Sequence, residues 1–407
     1  MLLFSVALLF LLIPSLSLAG APVHGSKAAA MGTAFVAIAD DPSAITHNPA
    51  GITQLKGTNI YGGTTFVIPS TTFESPSGQS EETDFQVFFP PHLYLVSDLG
   101  KKNMRFGIGI YSPFGIGGRK WDEKGLTKYS SVKNMIATLS VNPTFAYQIL
   151  PTLSVGVGVS YMLSRTEAEK MVNQSMLGAG DSKLKLEGIG GGWGYNFGLL
   201  FIPHEKVRMG LAYRSRIKVT HEGDIEFERI APALQPAFGG SSFETDIDAP
   251  TTFPDLLNFG IAFMPDEKWT VAIEFEYGGW SSFDNAELKL EHEIPEAGFT
   301  DSSIPLDWND AWIAKIGAEY KVNDKLSVRG GYAYVETMVP EHTLDAGNPD
   351  SDNHNFCIGF GYKVKSFVLD LFYIADIYED RSVRNNILSG EYKNFAHFLG
   401  FSIGKKF

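Results

Sequence analysis

The charged residues of this chain that could do chemistry sit in short, regular runs. In VRMGLAYRSRIKVT, Arg208, Arg214, Arg216 and Lys218 oppose Val207, Met209, Leu211, Tyr213, Ile217 and Val219. Glu274 and Glu276 repeat the placement with opposite charge in WTVAIEFEY, and Glu319 falls in a similar run. Such residues can neutralise one another across a wall or receive a charged ligand, and mutual neutralisation is the expectation here. Arg165 closes TLSVGVGVSYMLSR, and Asp370 interrupts FVLDLFY. Catalytic patterns are missing. No G-x-S-x-G elbow or H-E-x-x-H pair occurs. The glycines of EGIGGGWGYNFG run on into a strand-like segment, with no helix to receive a phosphate. His221, His292 and His354 fall in loops and read as solvated. Cys357 is the single cysteine, which excludes an internal disulfide and a cysteine metal site. The sequence points to no enzyme, no metal and no cofactor.

The elements that must position these charges are set by composition and period. The 407 residues carry a net charge of −13, which argues against nucleic acid as a partner. Aromatic residues make up 13 %, with 30 Phe and 16 Tyr, alongside 42 Gly; this mixture suits many strands touching an apolar phase. The opening MLLFSVALLFLLIPSLSLAG reads as a secretory signal, with cleavage near Ala19, although no Lys or Arg precedes Lys27. Its apolar run falls short of the ~20 residues a spanning helix needs. No later stretch approaches that length either, so membrane residence would be by strands.

Period-two alternation runs through the rest. Leu153, Val155, Val157, Val159, Tyr161 and Leu163 share one face; Thr152, Ser154, Gly156, Gly158 and Ser160 share the other. Fourteen such segments are expected, near 57–68, 84–98, 103–112, 136–149, 152–165, 184–203, 206–220, 253–264, 268–279, 310–321, 325–337, 353–363, 366–379 and 394–407. Many are longer than the 5–6 residues usual in soluble sheets. Tight turns such as LP, PHE and PDE alternate with long connections such as 113–135, 221–252 and 280–309. An even number of long strands, with short turns at one rim and long loops at the other, describes an all-β transmembrane antiparallel barrel. Both chain ends then lie at the short-turn, periplasmic rim. The last strand ends on Phe407 in parity with Phe395, Leu399, Phe401 and Ile403, as expected of a signal read by the barrel-assembly machinery.

Two places break the pattern. Pro90-Pro91 interrupts the second strand and Pro143 the fourth, while the third carries Gly107, Gly109 and Pro113. Proline cannot donate to a ladder, so these positions predict either bulges near the rim or a local gap in the wall facing lipid. The second break is AIADDPSAITHNPAGITQL, residues 37–55, which is compact and helix-like. Asp41 is a good N-cap with Pro42 at the first helical position, and Asn48 before Pro49 ends the turn. Lying before the first strand and apolar enough to seek burial, residues 20–56 are read as a hatch that plugs the lumen. The organisation is thus 1–19 signal, 20–56 hatch and 57–407 barrel. Asn48, with two amide donors and one acceptor, would serve unpaired peptide groups of the wall opened at the third strand.

The segment GTAFVAIADDPSAITHNPAGIT resembles the start of the FadL-type long-chain fatty acid transport family, including its Asn48-Pro49-Ala50 signature. YSPFGIGGRKW, LSVGVGVSYMLSR, AYRSRIKVTHEGD, WTVAIEFEYGGWSSF and KLSVRGGYAYVETMVPEHTLDAGNPDSDNHNF are similar to that family in the same order. The resemblance implies a fourteen-stranded barrel in the Gram-negative outer membrane, closed by an N-terminal hatch. It implies import of hydrophobic molecules, foremost long-chain fatty acids, with sideways exit into outer-membrane lipid near the third strand. It gives Arg165 the role of head-group ligand and Asp370 that of a tether for the hatch. An aromatic-hydrocarbon importer of the same family, a structural or adhesive barrel with acidic loops, and an open porin are the rival readings; a plug speaks against the porin.

Overall fold

The computed structural model describes residues 23–407; the signal segment 1–19 and the first hatch residues lie outside the described residues. Fourteen wall strands follow one another. They are β1 (Thr58–Glu74), β2 (Pro91–Ser97), β3 (Met104–Tyr111), β4 (Lys133–Leu150), β5 (Leu153–Val172), β6 (Ser182–His204), β7 (Val207–Arg214, resuming as Ile217–Glu228) and β8 (Ser242–Phe253, resuming as Leu256–Phe263). The remainder are β9 (Trp269–Gly278), β10 (Ala311–Lys321), β11 (Leu326–Val335), β12 (Asn353–Val364), β13 (Phe367–Tyr378) and β14 (Gly390–Lys406). Each pairs antiparallel with its neighbour, and β14 closes on β1 from Asn59↔Lys406 to Glu74↔Glu391. Closure pairs the first strand with the last, so neither is left as an open edge of the sheet.

Alternation sorts the side chains as the sequence reading expects. Val157, Val159, Tyr161 and Leu163 point outward and are exposed, whereas Gly156, Gly158, Ser160 and Met162 point inward. The same outward set recurs on every side: Trp193, Ile261, Ile273, Ile316, Ile358 and Ile403 are all exposed. A continuous apolar belt of this extent is stable only against lipid. Phe407 ends the chain on that outer face, its amide donating to the Thr58 carbonyl at 2.9 Å. Deleting Phe407 should slow assembly and leave the lumen untouched; normal surface levels and wild-type heat-modifiable gel mobility would remove that role from it.

Inside the ring lies the N-terminal segment, through two short helices, α1 (Ser26–Ala30) and α2 (Ala44–His47), and a 3-10 turn over Pro49–Gln54. The Asp41 carboxylate caps the chain at the Ser43 amide (2.8 Å), as expected, although regular helix begins only at Ala44. Asn48 is extended, with φ −160°, and ends it. The backbone of the Asn48–Ala50 turn fits because the inner wall carries glycine where it passes. A Cβ on Gly156 would lie 2.4 Å from the Ala50 nitrogen, and one on Gly198 would lie 2.1 Å from Asn48 Oδ1.

Candidate functional site

The lumen has two floors. The upper one, on the long-loop side, is apolar. Met162, Ile217, Val219 and Phe253 from the wall meet Phe114, Trp121, Trp280, Phe283, Trp308 and Leu344 from the loops in one cluster. Phe114 stacks on Phe253 at 4.7 Å and Phe283 on Trp308 at 5.0 Å. Loop residues 343–351 fold inward and are buried, tied by Trp121 Nε1 donating to the Ala346 carbonyl (2.9 Å). A second apolar core, with Phe227, Phe238 and Phe299, stands among the extracellular extensions of the wall. The long-loop side of the barrel is therefore packed with apolar side chains both at the rim and within.

The lower floor is the N-terminal segment, held to the wall by polar contacts all round. Ser26 bonds Ser402 of β14 at 2.7 Å. The amides of Phe35 and Val36 both donate to Glu274 Oε2 of β9 at 2.7 Å, a pair of charge-assisted bonds. Asn196 of β6 donates to the Ile45 carbonyl at 2.9 Å, and Arg105 of β3 donates to that of Leu55. Lys27 binds Asp40 at 2.7 Å and lies 3.9 Å from Glu319 of β10. Burial pulls the Lys27 ammonium down, but the Asp40 and Glu319 carboxylates outweigh it and raise its pKa above the usual range. Cavities of about 520 and 570 Å³, both lined by Lys27 and Asp40, open at the short-turn end.

The expected site residues divide sharply when placed. Asn48 is fully buried: Nδ2 donates to the carbonyls of Val36 (2.8 Å) and Leu199 (3.0 Å), while Oδ1 accepts from Ala50 (3.1 Å). It does join the segment to the wall, but at β6 and not at β3. Pro49 and Ala50 lie over Gly156 and Gly198. Asp370 faces the lumen and accepts from Arg329 (2.6 Å) and the Tyr61 hydroxyl (3.0 Å); among the described residues its bonds run to the wall and not to the segment.

Arg165 is misplaced for a head-group ligand. It shares the outward parity of Tyr161 and Leu163, is 48 % exposed, and pairs with Glu167 (2.9 Å) and Glu187 (3.0 Å). Its distance from the lumen is a matter of strand geometry, since successive side chains point to opposite faces. Arg165→Ala should therefore leave uptake unchanged and alter stability by at most ~1 kcal/mol, the worth of an exposed pair; a selective loss of fatty-acid uptake in cells would return the residue to the transport path.

The run of four cations is also split. Arg208 and Arg214 face inward, but Ser215 and Arg216 interrupt β7, and Arg216 and Lys218 beyond them face outward. Opposite, Pro254 and Asp255 interrupt β8, and Arg216 clamps Asp255 across the two breaks at 2.7 Å. Nor do these cations balance the expected glutamates. Lys315 neutralises Glu274 (3.0 Å) and Glu276 (2.7 Å), and Arg329 neutralises Glu319 (2.6 Å).

The wall interruption lies beside β3, with different residues responsible than expected. Gly107 and Gly109 sit within regular β3, paired on both sides, and give room to Ile45 of α2. Regular pairing of β2 with β3 ends at His92↔Tyr111. Pro90 and Pro91 stand at that end of β2, and Pro113 lies in the irregular stretch Ser112–Gly115 after β3. Beyond it, among the described residues, no backbone hydrogen bond joins 85–90 to 113–119 until Asp84 donates to Lys120 at 2.8 Å. Pro143, by contrast, stays in β4, opposite Ile108. Phe114 of the irregular stretch reaches the inner apolar cluster, while Phe85 and Phe89 are exposed on the outside.

Comparison with known proteins agrees with this architecture. Residues 15–407 match the family model of the outer membrane protein transport protein (OMPP1/FadL/TodX). The chain is 24 % identical over 381 residues to a long-chain fatty acid transport protein of Escherichia coli, covering 84 % of this chain and 83 % of the relative. It is 26 % identical to a 47 kDa outer membrane protein of Pasteurella multocida, covering 80 % and 79 %. Among solved structures, a Pseudomonas aeruginosa FadL homologue superposes with a TM-score of 0.85 at 16 % identity, covering 95 % of this chain and 99 % of that one. The Pseudomonas putida toluene transporter TodX does so with 0.78 at 18 %, over 95 % and 99 %. The chain belongs to the OMPP1/FadL/TodX family, outer-membrane β-barrels that transport hydrophobic compounds.

Proposed function

We propose that this protein imports long-chain fatty acids by passive diffusion, with the N-terminal segment as hatch and the break beside β3 as sideways exit. One observation carries the reading: an aromatic upper lumen stands over a polar-tethered floor, and Phe114 of the broken wall segment reaches into it. A fatty acid captured among the loops would exchange water for apolar surface at roughly 25 cal/mol per Å² buried. It would then rest on the floor until that floor shifts. Exit through the break spares the molecule a passage through the polar tethers and the periplasmic cavities. The relatives named for long-chain fatty acid transport support the substrate class.

A second reading, import of small aromatic hydrocarbons, is favoured by the stacked rings of Phe114, Phe253, Phe283 and Trp308. Cells lacking and expressing the protein should be compared for uptake of labelled oleate and labelled toluene. Faster oleate uptake with expression supports the fatty-acid reading; a gain for toluene alone replaces it with the second.

A further inference from the structure

The periplasmic rim carries its charge unevenly. Over one arc, three neighbouring junctions each hold two lysines: Lys363 and Lys365 where β12 turns into β13, Lys405 and Lys406 at the end of β14, and Lys101 and Lys102 in the turn from β2 to β3. The arc is continuous, since β13 pairs with β14, β14 with β1 and β1 with β2. Among the described residues none of the six makes an ion pair. The single acidic side chain in these junctions is Asp98, whose oxygens accept from the Gly57 amide at 2.7 Å and the Gly100 amide at 2.9 Å. Elsewhere on the rim, lysines have acids beside them. Glu205 precedes Lys206, Asp266 and Glu267 precede Lys268, and Asp324 precedes Lys325. In a chain of net charge −13, an arc of unmatched ammonium groups is no by-product of composition.

The arc stands at the short-turn edge of the apolar belt. Lys405 lies in register between Phe367 of β13 and Ile60 of β1, both exposed on the outer face. Its Nζ sits 5.2 Å from the Phe367 ring centroid and 4.3 Å from that of Phe407. The stem thus follows the lipid-facing surface while the ammonium emerges at its border, as a lysine does at a membrane boundary. Leu99, exposed in the β2–β3 turn, sets an apolar side chain close to Lys101 and Lys102 in the same way. Lys363, Lys365, Lys405 and Lys406 also border the cavity of about 570 Å³, together with Ile60, Phe367 and Phe407. The carboxylates on its inner side are engaged: Asp40 by Lys27, Asp41 by Ser43 and Asp370 by Arg329.

We propose that this arc binds the phosphates of anionic phospholipid in the periplasmic leaflet, whose acyl chains lie on the apolar belt. An ammonium is a compact point charge on a flexible stem, so a row of them meets phosphates without a shaped pocket. Lysine clusters beside a membrane-spanning surface are attracted to an anionic leaflet, and salt screens the attraction. The continuity of the lysines with Phe367, Phe407 and Ile60 is what selects a lipid over a soluble anion. Binding here seats one side of the barrel on anionic lipid and leaves the lumen as it is.

The test uses the full-length barrel purified in detergent, titrated with phosphatidylglycerol or phosphatidylcholine of the same acyl chains, with bound lipid counted by native mass spectrometry. Both lipids carry a phosphate, but only phosphatidylglycerol carries net charge. Wild-type protein should hold phosphatidylglycerol about five-fold more tightly or better; absence of that preference overturns the proposal. Replacing Lys363, Lys365, Lys405 and Lys406 together by Gln should bring the two lipids within two-fold of each other. Because Lys405 and Lys406 adjoin the terminal Phe407, a second variant replaces Lys101, Lys102, Lys363 and Lys365 by Gln and leaves β14 intact. It should cut the preference by half or more, and an undiminished preference there overturns the proposal. Lys206→Gln with Lys268→Gln, on the opposite arc, should leave the preference unchanged; an equal loss would make the effect one of overall charge and overturn the assignment to this arc. Displacement of phosphatidylglycerol by glycerol 3-phosphate, or by polyglutamate, would give the arc to a free phosphate or an acidic protein and overturn the lipid assignment.

Discussion

Gly156→Leu should leave the barrel folded and inserted while expelling the N-terminal segment from the lumen. The inward face of β5 at this point touches peptide backbone. A Cβ would stand 2.4 Å from both the Ala50 nitrogen and the Pro49 carbonyl carbon, and 2.6 Å from the Pro49 oxygen. No rotamer change relieves such a contact, because the atoms opposing it belong to a turn fixed by Pro49 and by the Asn48 side chain. Overpacking by a methylene or two ordinarily costs ~1–3 kcal/mol, and a whole leucine side chain against rigid backbone exceeds that. The wall is the stronger party: β5 pairs along its whole length with β6, and the ring is closed. The segment should give way. Cells carrying the variant should then admit large hydrophilic antibiotics, and planar bilayers should show a steady conductance absent from wild type. A variant as tight as wild type at equal surface expression would mean that the segment can shift within the lumen and still seal it.

Asn48→Ala is expected to lower hydrophobic uptake several-fold at matched surface expression, with heat-modifiable mobility unchanged. Three hydrogen bonds end on this one side chain, two buried and the one to Leu199 partly buried, and its loss leaves the Val36 and Leu199 carbonyls and the Ala50 amide without that partner. Each buried orphan is worth ~1–3 kcal/mol, so roughly 3 kcal/mol or more is lost from the floor. The bond to Leu199 spans 151 residues of sequence and is the direct link between the Asn-Pro-Ala turn and β6. Asn48→Asp should be worse than alanine, since it sets a carboxylate against two carbonyls. Wild-type rates of labelled oleate uptake in Asn48→Ala would reduce the residue to a local cap of the Pro49–Gln54 turn, worth about 1 kcal/mol.

The barrel was legible because its cause is local. Each strand announces itself by period two over its own length, and each turn by its own residues, so fourteen strands and their order follow without knowing what touches what. The closing partner of β14 then needs no further information, since the even count leaves only β1. The outward aim of Arg165 was also written in the sequence: it shares the parity of Leu163 and Tyr161. The position given to it by resemblance overrode a pattern that placed it correctly. The proline pairs marked the region beside β3 for the same local reason, a missing donor, though not which glycines belonged to the gap.

What only the tertiary structure decided are the matters of register and of distant meeting. Alternation assumes an unbroken strand, and the two-residue interruptions at Ser215–Arg216 and Pro254–Asp255 reverse it midway, sending Arg214 inward and Arg216 outward. Pro254 was the one visible sign. Which charges neutralise each other inside depends on strand neighbours, so Lys315 and Arg329 replaced the cations of β7 as partners of the glutamates. The meeting of Asn48 with Leu199, and the glycines on which the N-terminal segment rests, depend on how a separate stretch of chain lies in the finished ring. A sequence fixes the faces of a strand through bonds between neighbouring residues. It leaves contacts across the lumen to the closure of the barrel, which brings together groups that no local period relates.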